Sequence, residues 1–278
     1  MRGLLSFIFS IVCVGACAQW SIKTDASSFA LDELGNAYLV SANRVEMYGP
    51  QGELLFVYNP SFTNRIDGID VSRALRPMIF FKDQGFLQYL DNTLSEQNAL
   101  VDLYALPFGR VELVGASADN HVWVFDSVNL ELLRLDKSLS IVSRSGNLGS
   151  WFSGEVDFID LREYQDRVFL AGQSGVFVFD LFGNFGHRVS LDPVEQIFFE
   201  GGYVFFEQAE GWLASTSEGV IVESAVLPKQ KNQIIVRGEN VFVLDSGLLI
   251  TSQKKARSGW ERHHNEEKPM AIWEWWKD

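Results

Sequence analysis

The sequence predicts an all-β chain of six repeated four-stranded units, closed into a six-bladed β-propeller by its own N-terminal strand. Three observations carry this expectation. Apolar, β-prone runs recur about every 40 residues, the length of one blade. Each of the first five runs is followed by a further strand ending in a Gly or Asp/Asn turn. No stretch holds a 3.6-residue apolar period long enough for more than minor helix.

The composition sets the bounds. The chain has 278 residues, 47% of them hydrophobic, which is ample for a large core. With 36 acidic against 23 basic side chains the net charge is −13, the wrong sign for a surface facing a phosphate backbone, so nucleic acid is excluded as a partner. Two cysteines can build neither a CxxC…CxxC metal framework nor a disulfide scaffold.

In chain order, the first segment reads as a leader. Met1-Arg2 precedes an apolar run from Leu4 to Val14 and small residues through Ala18, the pattern of a secretory signal peptide over residues 1–18. The run is shorter than the roughly 20 residues a membrane span needs, and no later segment can cross a bilayer. Ala16-Cys17-Ala18 fits cleavage after Ala18. Val14-Gly15-Ala16-Cys17 also resembles a lipobox, which would make Cys17 a lipid anchor. Either way the expectation is an exported protein, periplasmic or envelope-associated.

The blades follow over residues 19–255. The runs are Asn36–Val40, Pro77–Phe81, His121–Phe125, Arg167–Ala171, Gly202–Phe206 and Asn240–Leu244, with Val, Ile, Phe, Tyr and Trp dominant as a pleated, half-buried surface favours. Turns such as Tyr48-Gly49-Pro50-Gln51-Gly52, Leu90-Asp91-Asn92, Leu135-Asp136-Lys137 and Phe179-Asp180-Leu181-Phe182-Gly183 repeat in phase. The sixth unit shows only Gln233–Val236, Asn240–Leu244 and Leu248–Ser252 as strands. Trp20–Thr24 has no partner of its own, so pairing it there would remove two open edges.

The first repeat, Ala30-Leu31-Asp32-Glu33-Leu34-Gly35-Asn36-Ala37-Tyr38-Leu39-Val40 through Glu53, resembles an NHL-type repeat, and the whole is similar to NHL-like and TolB-like six-bladed propellers. That family pattern runs hydrophobic-Asp-x-x-Gly-Asn-hydrophobic-Tyr-Val, then a strand, then a Gly turn. Units 3 and 4 match it in part. The resemblance implies a protein-interaction or ligand-binding scaffold, with hydrolases and lyases as the minority activity.

One register collects acids. Ile66-Asp67-Gly68-Ile69, Val111-Glu112-Leu113-Val114, Val156-Asp157-Phe158-Ile159 and Val194-Glu195-Gln196-Ile197 each stand before an apolar strand expected to line the channel. Carboxylates that converge repel one another unless a cation neutralises them. A hard divalent ion such as Ca²⁺ with Asp67, Glu112, Asp157 and Glu195 is therefore one expectation; water-screened carboxylates with no cofactor are the other. Asp70 and Asp160, three residues further on, are expected to end strands and accept turn hydrogen bonds. Trp123, Trp151 and Trp212 are expected between blades. No Gly-x-Ser-x-Gly occurs, and His121 at a strand start reads as a turn histidine.

Residues 256–278 form a polar linker ending in a tryptophan-rich segment. Trp273, Trp275 and Trp276 crowd four positions, an apolar concentration that anchors either on the chain's own blades or on a partner. Taken together, the sequence predicts an exported, non-catalytic propeller that binds a protein partner or acts as a scaffold in the bacterial envelope. A metal-dependent hydrolase or lactonase, working at the acidic channel mouth, is the alternative.

Overall fold

The computed structural model describes residues 18–61, 65–151, 157–190, 192–209, 211–225, 232–238 and 240–253. Residues 1–17, which hold Cys17 and all but the last residue of the expected leader, lie outside that set. So do residues 254–278, with Trp273, Trp275 and Trp276.

The chain begins with β1 (Ala18–Lys23) and then lays down one blade after another. Blade 1 comprises β2 (Ser28–Leu31), β3 (Ala37–Ser41), β4 (Arg44–Tyr48) and β5 (Leu54–Tyr58). Blade 2 comprises β6 (Gly68–Asp70), β7 (Met78–Phe81), β8 (Phe86–Leu90) and β9 (Glu96–Asp102). Blade 3 is β10 (Val111–Ala116), β11 (Val122–Asp126), β12 (Glu131–Leu135) and β13 (Ile141–Arg144). Blade 4 is β14 (Phe158–Tyr164), β15 (Arg167–Gly172), β16 (Gly175–Phe179) and β17 (Phe185–Ser190). Blade 5 is β18 (Gln196–Glu200), β19 (Tyr203–Gln208), β20 (Gly211–Thr216) and β21 (Ile221–Ala225). The sixth blade contributes β22 (Gln233–Arg237), β23 (Asn240–Asp245) and β24 (Leu248–Gln253).

Each blade is a four-stranded antiparallel meander, and β1 supplies the fourth strand of blade 6 beside β24. The register runs from Ala18 opposite Ser252 to Lys23 opposite Leu248, and the Thr24 N–H donates to the Gly247 carbonyl at 2.9 Å. The molecule is a six-bladed β-propeller closed by its N-terminal strand. First strands of neighbouring blades meet at the β10–β14, β14–β18, β18–β22 and β22–β2 junctions, so the first strands β2, β6, β10, β14, β18 and β22 form the inner ring and β5, β9, β13, β17, β21 and β1 the rim.

One detail of the sequence reading is corrected. The recurrent apolar runs are the second strands, one step out from the channel, and the acidic pattern opens the inner strands themselves. The reason is burial. A second strand has a strand on each side and a blade against each face, so β3, β7 and β11 are buried at every position.

The cores fill the wedges between blades. Val45, Met47 and Tyr58 of blade 1 pack with Ile79, Phe81 and Leu90 of blade 2. Trp123 and Phe125 of blade 3 meet Phe158 and Leu161 of blade 4, and Trp212 of blade 5 meets Ile234 and Val236 of blade 6. Trp123 and Trp212 thus stand between blades as expected. Trp151 does not: it is exposed and lies over Phe185, ring centroids 4.3 Å apart.

Aspartates make the repeated turns. The Asp91 Oδ1 accepts from the N–H groups of Thr93 and Ser95, Asp136 from Ser138 and Ser140, and Asp180 from Phe182 and Asn184, all at 2.8–2.9 Å. Asp32 repeats this between β2 and β3 with Leu34 and Asn36, and also accepts from the Asn36 amide at 2.8 Å and the Tyr38 hydroxyl at 3.0 Å. Gly35 between them sits at φ +85°, where a side chain would be strained. Those bonds account for the Asp-x-x-Gly-Asn-x-Tyr pattern of the first repeat.

Candidate functional site

Of the four acids expected to converge at the channel mouth, Asp67 and Glu112 are tied to bases. Asp67, just ahead of β6, accepts from the Lys82 N–H at 2.9 Å and has the Arg65 Nε 3.6 Å away. Glu112, on β10 of the next blade, pairs with the Lys82 ammonium, with the Arg110 Nε at 3.6 Å. Lys82 therefore joins Asp67 and Glu112 across the blade 2–blade 3 junction. Asp157 and Glu195 are exposed ahead of β14 and β18; the Asp157 carbonyl accepts from Gln173 N–H, and Glu195 N–H donates to the Glu207 carbonyl, each at 2.9 Å. Among the described residues, no three carboxylate, imidazole or thiol side chains converge to hold a metal ion.

Deeper in the ring a different cluster forms. Asp70 closes β6 and takes the expected turn bond from Ser72 N–H at 2.8 Å, but its other oxygen accepts from Ala116 N–H of blade 3, also at 2.8 Å. Arg162 of β14 in blade 4 reaches Asp70 at 3.4 Å and Asp160 at 3.7 Å. Asp70 is buried, while Asp160 and Arg162 are partly buried. Asp160 does not end a strand as expected. It stands within β14, and the two-residue repeat of a strand puts it on the same face as Arg162.

The two carboxyls diverge. Burial works to raise Asp70, yet Arg162 and the N–H groups of Ala116 and Ser72 outweigh it and hold the group below the ordinary aspartate range. Burial also works on Asp160, and the charge of Asp70 adds to it, so that group is pushed above the ordinary range despite Arg162. The neighbouring carboxylates keep Arg162 firmly charged. The cluster spans blades 2, 3 and 4 and fixes their inner strands to one another. Its sequence signal is Asp160-Leu161-Arg162, two charges on one face of a strand expected to face the channel.

Glutamines do the same work elsewhere. The Gln233 amide donates to the Phe29 carbonyl and accepts from the Phe29 N–H, at 2.9 and 2.8 Å, joining blade 6 to blade 1. Gln196 pairs with Asn232 O and Ile234 N–H, at 2.7 and 3.0 Å, joining blade 5 to blade 6. Of the histidines among the described residues, His121 has its Nδ1 3.1 Å from the Ala118 carbonyl at a turn, and His187 lies on rim strand β17.

The rim carries the feature that sequence reasoning passed over. On β5, Leu54, Leu55, Phe56 and Val57 are 52, 39, 38 and 42% exposed, on both faces of an edge strand. Every other rim strand holds a charged residue: Lys23 on β1, Glu96 and Asp102 on β9, Arg144 on β13, Arg188 on β17 and Glu223 on β21. Leu54-Leu55-Phe56-Val57-Tyr58 holds none, and edge strands ordinarily carry charge to block pairing. The signal was visible as an uncharged apolar pentad after a Gly turn.

Comparison with solved structures places this architecture among known propellers. Streptogramin B lyase superposes with a TM-score of 0.57 at 10% identity, over 86% of this chain and 88% of that one. A catalytically inactive variant of virginiamycin B lyase from Staphylococcus aureus, solved with quinupristin, gives 0.55 at 12% identity, over 82% and 80%. Kluyveromyces lactis Hsv2 gives 0.52 at 12% identity, over 78% and 69%. At these identities the likeness is one of fold. No family model and no curated protein matches the sequence.

Proposed function

We propose that this chain is an exported, non-catalytic propeller that works as a protein-binding or scaffold module of the bacterial envelope. One observation carries the reading: the open edge of β5, with four consecutive exposed apolar side chains and no charge. An edge strand offers its unpaired N–H and C=O groups to an extended segment of another protein, and apolar side chains on both faces add buried area to such a pairing. The leader-like residues 1–18 support export, and the propeller body supplies a rigid support for the edge. Asp67 and Glu112 enter this reading as carboxylates neutralised by Lys82, Arg65 and Arg110.

The test is affinity capture from envelope extracts with wild type and with the double variant Leu55→Lys/Val57→Lys. Both positions are exposed, so the fold should persist while specific co-purifying proteins are lost. An identical set of captured proteins with both baits would reject β5 as the docking edge.

A further inference from the structure

The β5 edge lies close to where the described chain leaves blade 6. Ser252 on β24 pairs with Ala18 on β1, and two residues along β1 stands Trp20. The Trp20 indole N–H donates to the Pro50 carbonyl at 3.0 Å, and its ring lies against Gly52, in the turn that leads into β5. Summing one strand spacing and two-residue steps along β1 and the turn puts Leu54 within roughly 20 Å of Ser252. The sequence then continues through residues 254–269, a polar stretch rich in charge, to Met270-Ala271-Ile272-Trp273-Glu274-Trp275-Trp276-Lys277. A random coil of that length has a root-mean-square span of about 22 Å, a span that matches the gap and so favours a high local concentration at the edge.

The chemistry matches as well. In an extended conformation, Ile272 and Trp276 fall on one side and Ala271, Trp273 and Trp275 on the other. Glu274 lies between Ile272 and Trp276 and Lys277 follows Trp275, so each side is apolar apart from one charge, and the three tryptophans supply most of the area that could cover the two apolar faces of β5. The flanking strands of the rim carry charge and offer no such surface.

We propose that residues 270–277 are the occupant of the β5 edge: they add to blade 1 as a further strand, and a protein partner gains the edge by displacing them. The inference rests on the reading of β5 as a docking edge and names what covers it in the unbound protein. The connection makes the contact intramolecular, so it holds at any protein concentration. Displacement then requires a partner strand that pairs better than this one or is itself tethered nearby.

The test is hydrogen exchange on the full chain, on a version ending at residue 269, and on full-length Leu55→Lys/Val57→Lys. In the full chain, backbone amides of residues 54–58 should exchange at least tenfold more slowly than in the shortened one. A synthetic peptide of residues 268–278, added in trans to the shortened chain, should restore the protection. In the double variant, whose propeller is complete, residues 270–277 should exchange faster than in wild type.

Equal exchange at residues 54–58 with and without residues 270–277, or no effect of the peptide, overturns the proposal. So does protection that appears only with rising protein concentration alongside a doubled mass, which would assign the edge to a second copy. The two readings fail separately. If the peptide protects β5 yet the double variant captures the same envelope proteins as wild type, the intramolecular strand stands and β5 is not the partner's edge. If both hold, the shortened chain should capture more partner than the full one.

Discussion

Asp70 and Asp160 share one arginine and respond to pH in opposite senses. Asp70 is held below its ordinary value of 3.8, so the stability it contributes is complete above that value and is lost as pH falls toward its folded pKa. Asp160 is raised above 3.8, so the folded state binds its proton more tightly than the unfolded chain, and stability drops as pH rises through the raised value. Asp70→Asn should therefore cost about 3 kcal/mol at neutral pH, the loss expected when one partner of a buried ion pair is removed. Asp160→Asn should raise the melting temperature at neutral pH and flatten the dependence between pH 3.8 and neutrality. Urea titrations of the three proteins at several pH values check both; a destabilised Asp160→Asn at neutral pH would show that this carboxylate is a net contributor. The sequence made these acids visible but not their partner. The Asp70–Arg162 pair joins residues 92 positions apart, and no local pattern encodes a contact that only ring closure creates.

Strands were legible to the extent that their burial was uniform. The second strands announced themselves through unbroken apolar runs, and the Asp and Gly turns were readable because each satisfies nearby N–H groups or a positive φ. Inner strands such as β6, with three residues, were weaker signals, so the acids at their starts were assigned to a position one strand away. The closing strand was found by a different route, as a β-prone segment without a partner. Its energetic role follows from the register: β1 covers β24, and Trp20 and Ile22 pack on the blade 6–blade 1 core with Phe29, Phe242 and Leu249. Removing residues 19–24 should cost several kcal/mol, through lost apolar burial together with the edge of β24 left open. A cooperative unfolding transition that shifts to markedly lower urea is the expected result. An unchanged midpoint would show that the ring is closed by blade-to-blade packing alone.

The whole molecule carries a charge of −13 on a closed ring, and the question at this scale is where that charge needs an outside cation. Repetition made the blade number and the closure readable, and it also suggested that acids in one register would crowd one mouth. The acids do stand at equivalent places in successive blades, but two of them, Asp67 and Glu112, come with basic neighbours. Lys82 serves Asp67 through its backbone N–H and Glu112 through its ammonium, while Arg65 and Arg110 approach the same two carboxylates. A divalent ion entering there would have to displace an ammonium already in contact with Glu112 and would find Asp157 and Glu195 on separate blades, exposed to water. A ligand that binds the folded state raises its melting temperature in proportion to the logarithm of its concentration over Kd. The wild-type protein should accordingly melt at the same temperature in millimolar calcium and in chelator, and Asp67→Asn with Asp157→Asn should leave that equality intact. A calcium-dependent rise that the double variant abolishes would reverse the assignment, making the mouth a metal site and reopening metal-dependent hydrolysis as its chemistry.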